Sequence, residues 1–148
     1  MFDIFDFQTV DPFLFEFLAC LPRPVLMVED DPSCAHIMKA CLRAAPGGDQ
    51  FDIHNVKSVK DAKRCLKKRP YSLVISDYSL EGSENGMDLW AFCEKEFPDI
   101  PFLVTSSFSS EVARNLSTRL GSAKINFLEK PFSVSDYTMT VSRLLRLE

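Results

Sequence analysis

The sequence predicts an α/β fold in which a five-stranded parallel sheet is doubly wound, with helices on both faces. From Val25 onward, short apolar runs alternate with amphipathic stretches, which is typical of successive βα units. Three of the runs, at 25–28, 73–75 and 102–104, are apolar throughout, as expected for strands buried on both faces. The chain has 148 residues, of which 46% are hydrophobic, so it can close one core and we expect no second folded domain.

The five predicted strands alternate with five predicted helices. The continuous runs give strands one, three and four, and weaker patterns at 51–56 and 124–128 give strands two and five. Amphipathic periodicity predicts helices at 33–45, 59–68, 87–97, 111–120 and 134–147. Ser58 with Asp61, and Ser133 with Asp136, have the spacing of side chains that cap a helix start. Crossovers between parallel strands are right-handed, so helices come to lie on both sides of the sheet.

Residues 1–24 form a Phe-rich extension that precedes the predicted domain at 25–148. Six of the thirteen Phe residues lie within the first 17 positions, where every charged side chain is acidic. Asp11 followed by Pro12 predicts the start of a short helix at 13–21 that is apolar on nearly all sides. Such a helix has to be buried, either on the domain or against a second copy in a homodimer.

Charge and cysteine content limit the class of protein. The net charge of -4 and the pI of about 5.2 argue against a nucleic-acid binder, which needs a basic surplus. The five cysteines include no C-x-x-C pair, which favours free thiols in a reducing compartment. A signal peptide would require a basic residue near its start, but none precedes Arg23. The apolar run at 17–21 is too short for a membrane span. We therefore expect a cytoplasmic protein without a membrane span.

Polar side chains follow the strands at the carboxyl edge of the sheet, where open α/β sheets bind ligands. They are Glu29, Asp30, Asp31, Asp77, Thr105 and Lys130. Converging carboxylates repel one another unless a cation joins them, and oxygen ligands suit Mg²⁺. The acidic loop disfavours a flavin phosphate. With Mg²⁺ bound, a carboxylate can attack a phosphoryl group whose oxygens the lysine and the threonine would contact.

Four motifs at the strand ends resemble those of response-regulator receiver domains of two-component signalling, which have the CheY-like variant of the flavodoxin fold. The motifs are Val28-Glu29-Asp30-Asp31-Pro32, Val74-Ile75-Ser76-Asp77, Leu103-Val104-Thr105-Ser106 and Phe127-Leu128-Glu129-Lys130-Pro131-Phe132. Each motif is weak alone, but four in the family's order form a specific signal. The resemblance covers residues 25–147.

The resemblance implies a role for each site residue. Asp77 would accept a phosphoryl group from a histidine kinase or phosphotransfer protein. The phosphorylated chain would then act as a switch that regulates a downstream protein. Glu29, Asp30 and Asp77, with the backbone carbonyl of Ser79, would bind Mg²⁺. Lys130 and Thr105 would contact the phosphoryl group, and Thr105 would move with the aromatic switch residue Phe127. The chain departs from the family pattern in its longer loop after Asp77 and in about three additional residues between Thr105 and Lys130.

Two other functions stay open at this stage. A degenerate receiver could act as a protein-interaction or dimerisation module, for which the Phe-rich extension is the evidence. An Asp-nucleophile phosphatase is disfavoured because Ser79 stands where such enzymes place a second Asp as the acid/base group. We therefore expect a stand-alone switch that catalyses no reaction beyond its own phosphorylation and dephosphorylation.

Two features of the sequence have a plainer interpretation beside a sharper one. Asp31, before Pro32, is expected to cap the following helix and not to act as a third metal ligand. The predicted helix at 59–68 carries a stripe of basic residues opposite its apolar positions, and exposure of this face to solvent explains the stripe. The basic residues are Lys60, Lys63, Arg64, Lys67 and Lys68. The sharper interpretation of the stripe is a docking surface for an acidic partner.

Overall fold

The computed structural model describes residues 11–19, 21–107 and 125–145 of the chain. Its strands form one parallel sheet in the order β2-β1-β3-β4-β5. They are β1 (Arg23–Val28), β2 (Phe51–Val56), β3 (Leu73–Asp77), β4 (Phe102–Ser107) and β5 (Asn126–Lys130). The five-stranded parallel sheet with helices confirms the predicted α/β fold.

Five helices and a short 3-10 turn at Gly48–Gln50 accompany the strands in the described residues. The helices are α1 (Pro12–Ala19), α2 (Pro32–Ala44), α3 (Val59–Lys68), α4 (Gly86–Glu96) and α5 (Val134–Leu145). The helix predicted at 111–120 lies outside the described residues. The predicted caps are confirmed, because Ser58 Oγ accepts from the Asp61 amide at 3.2 Å and Ser133 Oγ from the Asp136 amide at 3.0 Å.

Four strands differ in their bounds from the predicted runs, and two of them, β3 and β4, extend to Asp77 and Ser107, so that Asp77 is the last residue of β3 and does not follow it. β1 begins at Arg23, two residues before the apolar run, because Arg23 and Pro24 pair with the first residues of β2. β5 is displaced by two residues along the chain, since its register on β4 opens with Asn126 opposite Leu103. The Asn126 side chain also donates to the Phe102 carbonyl at 3.2 Å, which favours a strand start at a polar residue. Lys130 is therefore the last residue of β5 and does not follow it.

The sheet is buried on both faces, which explains the continuous apolar runs. Alternate strand residues enter two hydrophobic clusters, one against α3 and α4 and one against α2 and α5. The first cluster contains the strand residues Leu26, Val28, Val74 and Val104. The second contains Val25, Met27, Leu73, Ile75 and Leu103. Both layers of helices hold the sheet rigid, so the carboxyl ends of its strands have fixed positions.

Helix α1 begins where the sequence predicts, with Asp11 Oδ1 accepting from the Phe13 amide at 2.8 Å. Its side chains Phe13 and Phe17 are 79% and 58% exposed, so the described residues leave them largely uncovered. The burial of this helix, on the domain or against a second copy, stays a prediction. Among the helices that the structure describes, none is long and apolar enough to cross a membrane.

Candidate functional site

The carboxyl ends of the strands converge on a cleft of about 450 Å³. The β3–β4 register places Asp77 opposite Thr105, and the β4–β5 register places Ser107 opposite Lys130. The cleft is lined by Glu29, Asp30, Asp31, Cys34, Asp77, Ser79, Leu80, Ser107 and Lys130. The structure thus gathers most of the predicted site residues around one cavity.

Three carboxylates lie together in the cleft. Glu29, Asp30 and Asp77 each offer an oxygen, and these oxygens lie within 4.8 Å of one another. Glu29 is only 2% exposed, and its Oε1 accepts a hydrogen bond of 3.2 Å from the Asp31 amide. A set of oxygen donors that carries this much negative charge fits a hard divalent cation such as Mg²⁺.

The Asp31 carboxylate belongs to helix α2 and not to this cluster. Its Oδ1 accepts from the amides of Ser33 at 2.9 Å and Cys34 at 3.4 Å, which are the first free amides of the helix. These bonds satisfy donors that a helix start leaves unpaired. The expectation that Asp31 is a cap is confirmed.

The Lys130 ammonium group lies among the carboxylates. It donates to Glu29 Oε2 at 2.9 Å and lies 3.5 Å from Asp77 Oδ1. Burial lowers the pKa of Lys130, but the hydrogen bond to Glu29 and the charge of Asp77 outweigh burial and leave that pKa above its ordinary value. The lysine is therefore a permanent positive charge beside Asp77.

Cys34 is a site residue that the sequence analysis missed, because the spacing of the cysteines indicated only free thiols. Lys130 Nζ donates to Cys34 Sγ at 3.2 Å, and the thiol lines the cleft. Burial raises the pKa of this thiol, although the neighbouring ammonium opposes the shift. The only available signal was its position, in the first turn of the helix that follows the acidic loop.

The Asp77 carboxylate is held partly out of water. Burial raises its pKa to about 6, Lys130 acts in the opposite direction, and the charge of Glu29 adds to the rise. A carboxylate with this pKa is mostly ionised at neutral pH. It is also poorly solvated, which leaves it less stabilised than a surface carboxylate.

Thr105, Ser79 and Phe127 take different places around the cleft. Thr105 is fully buried, and its Oγ1 has no hydrogen-bond partner within the described part of the chain. Its backbone carbonyl accepts a hydrogen bond of 2.8 Å from the Tyr78 amide. Ser79 is exposed and lines the cleft. Phe127 pairs with Val104 and packs half-buried against the core cluster on the α3 and α4 side. Its assignment as a switch stays a prediction.

Residues 25–142 match the family model of the response regulator receiver domain. The chain belongs to this family. It is 26% identical over 126 residues to the response regulator protein PilR of Pseudomonas aeruginosa, covering 84% of this chain and 26% of PilR. It is 29% identical over 119 residues to the putative two-component response regulator ARR21 of Arabidopsis thaliana, covering 77% of this chain and 18% of ARR21. The receiver chain thus spans about a quarter or less of these relatives' length.

Solved receiver structures have the same fold. A receiver protein from Sinorhizobium medicae superposes with a TM-score of 0.72 at 20% identity, over 84% of this chain and 95% of that one. The non-phosphorylated HemR receiver domain from Leptospira biflexa gives a TM-score of 0.67 at 26% identity, over 85% of this chain and 96% of that one. The family and the fold together identify this chain as a receiver domain of the two-component kind.

Proposed function

We propose that this receiver is a phosphorylation-dependent switch that accepts a phosphoryl group on Asp77 in a Mg²⁺-dependent reaction. The observation that carries the proposal is the convergence of one half-buried ammonium group and three carboxylates at the strand ends. The donor would be a histidine kinase or a phosphotransfer protein, and the phosphorylated chain would bind a downstream protein. The four free cysteines of the described residues support a reducing, cytoplasmic location.

Asp77 is the nucleophile in this proposal. One of its carboxylate oxygens forms a bond to phosphorus while the bond between phosphorus and the donor's leaving atom breaks, which gives an acyl phosphate. Its pKa of about 6 keeps it ionised at pH 7. Its partial burial removes solvating water that attack would otherwise have to displace.

Lys130 and Thr105 supply the contacts for the transferred group. The Lys130 ammonium lies 3.5 Å from Asp77 Oδ1, within reach of an oxygen of a phosphoryl group bound there. The Thr105 hydroxyl, which has no partner among the described residues, lies on the strand directly beside Asp77. A hydrogen bond to a phosphoryl oxygen would satisfy this buried hydroxyl and draw Thr105 towards the site.

Glu29, Asp30 and Asp77 would hold the magnesium ion, with the Ser79 backbone as a further ligand. The ion supplies positive charge that offsets the carboxylates and the incoming phosphoryl oxygens. Glu29 is held in place by Lys130 and by the Asp31 amide, so this ligand is oriented before any ion binds.

The test uses a small-molecule phosphodonor such as acetyl phosphate with Mg²⁺, followed by intact-mass measurement. The wild-type chain should gain one phosphoryl group, and Asp77→Asn should gain none. Asp99→Asn, which changes an exposed carboxylate outside the cleft, is the matched control and should be labelled normally. Label retained in Asp77→Asn contradicts the acceptor assignment. A wild-type chain that is never labelled favours the degenerate interaction module instead.

A further inference from the structure

A second cleft, which we name the α3 groove, lies between helix α3 and the loop that joins β3 to α4. Its volume is about 660 Å³. It is lined by Ser58, Val59, Lys60, Lys63, Arg64, Lys67, Glu81, Gly82, Ser83 and Glu84. Four cations face two carboxylates in this groove, although the whole chain has a net charge of -4. The groove is therefore a local positive patch on an acidic protein.

Part of this positive charge has no carboxylate partner in the described structure. Lys63 pairs with Glu84 at 3.1 Å, and Arg64 pairs with Asp61 at 3.2 Å. Among the described residues, no carboxylate oxygen lies within 4.0 Å of the ammonium groups of Lys60 or Lys67. These two charges are available to an anionic group from outside.

The position of Lys60 is not explained by the stability of α3. It lies in the first turn, where the helix dipole is positive and an acidic residue is preferred. Lys67, in the last turn, is favoured by the same dipole. A cation in the first turn opposes the dipole, so Lys60 does not stabilise the start of α3 in this way.

An aromatic ring, that of Phe92, lies beside the groove without being one of its lining residues. The ammonium groups of Lys63 and Lys67 lie 5.1 Å and 5.9 Å from the centre of the Phe92 ring, in cation–π geometry. Phe92 itself is half-buried against the core. A segment whose carboxylates approach Lys63 and Lys67 would come near this ring, so aromatic side chains beside those carboxylates would have an apolar neighbour.

The chain contains a segment of this composition. Residues 2–7 read Phe-Asp-Ile-Phe-Asp-Phe, and none of the chain's 17 Lys and Arg residues precedes Arg23. We propose that residues 2–7 of a second copy occupy the α3 groove. The carboxylates of Asp3 and Asp6 would then compensate the charges of Lys60 and Lys67, and the Phe side chains would contribute apolar contact.

A second copy is favoured over the same chain by the exposure of two side chains of α1, which begins at Pro12, five residues after this segment ends. Phe13 and Phe17 are 79% and 58% exposed, so these two side chains of α1 are largely uncovered by the chain's own described residues. Two copies that exchange their first residues form a closed pair with two identical contacts, which is the usual symmetry of homodimers. This inference does not depend on the proposed phosphoacceptor function.

The test is a charge exchange in the full chain, read out by sedimentation equilibrium. Lys60→Glu with Lys67→Glu should weaken the dimer by at least about tenfold, because at each of the two contacts it replaces two ion pairs by two like-charge pairs. Asp3→Lys with Asp6→Lys should weaken it equally. The chain that carries all four substitutions should dimerise again. Lys68→Glu with Lys95→Glu, two cations outside the groove, is the matched control and should leave the dimer intact.

Three outcomes overturn the proposal, provided that circular dichroism shows each variant folded. They are a wild-type chain that stays monomeric, a dimer that the groove substitutions do not weaken, and a four-substitution chain that does not dimerise again. A wild-type dimer that higher salt does not weaken also contradicts it, since ions screen exposed charge pairs. Asp77→Asn without any phosphodonor should dimerise like the wild type, which separates this result from the phosphoacceptor test.

Discussion

Lys130 and Glu29 form an ion pair of 2.9 Å that joins the ends of β1 and β5 across 101 residues of chain. The Glu29 side chain is 1% exposed and that of Lys130 is 18% exposed, so neither charge is well solvated. Lys130 lies farther from Asp77, at 3.5 Å. In the unphosphorylated chain the lysine therefore stabilises a buried carboxylate first, and a phosphoryl group on Asp77 would compete with Glu29 for it.

Lys130→Ala should lower the free energy of unfolding in Mg²⁺-free buffer by about 3–5 kcal/mol, because it leaves the buried Glu29 carboxylate without its partner. Glu29→Gln in the same chain should recover most of this loss, since the uncompensated charge is then gone. Urea unfolding of the wild type, both single variants and the double variant measures the coupling. Additive losses in the double variant would show that the ion pair is not what stabilises this edge.

The sequence was sufficient to predict that Glu29, Asp30, Asp77 and Lys130 meet in one cleft, because the ends of parallel strands lie at one edge of a sheet. It could not predict that Lys130 contacts Glu29 and Cys34 more closely than Asp77, since that depends on side-chain conformations at the ends of β1, α2 and β5. It also displaced β5 by two residues, because the apolar pattern at 124–128 carries no information on the register with β4.

Asp77→Asn should stabilise the Mg²⁺-free chain at pH 7 and not at pH 4. Burial raises the pKa of Asp77 to about 6 from the ordinary 3.8, so between these values the folded chain holds a proton that the unfolded chain has lost. The contribution of Asp77 to stability therefore falls as the pH rises from about 4 to 6, by up to about 3 kcal/mol. Thermal melts at both pH values measure this, with Asp99→Asn as the control.

A stability difference between Asp77→Asn and the wild type that is the same at pH 4 and pH 7 would contradict the raised pKa. Added Mg²⁺ should narrow the difference at pH 7, because the wild type alone keeps all three carboxylates of the cluster for the ion.

Asp30→Ala and Asp31→Ala should have opposite profiles, although the residues are adjacent. Asp30 belongs to the carboxylate cluster, so its loss should weaken Mg²⁺ binding by about tenfold or more. Asp31 caps α2, so its loss should lower the free energy of unfolding by about 1 kcal/mol and change Mg²⁺ affinity little. Calorimetric titration with Mg²⁺ and urea unfolding separate the two. A larger loss of Mg²⁺ affinity for Asp31→Ala than for Asp30→Ala would show that the metal ligands are assigned wrongly.

Thr105→Val should stabilise the unphosphorylated chain and weaken its response to a phosphoryl mimic. The Thr105 hydroxyl is fully buried without a partner in the described residues, so replacing it by a methyl group of the same shape should raise the free energy of unfolding by about 1 kcal/mol. With Mg²⁺ and beryllofluoride, the wild type should gain additional thermal stability, because the hydroxyl then acquires a partner. Thr105→Val should gain less, whereas Thr105→Ser, which keeps the hydroxyl, should retain the full gain. Equal gains in all three chains would exclude Thr105 from contact with the phosphoryl group.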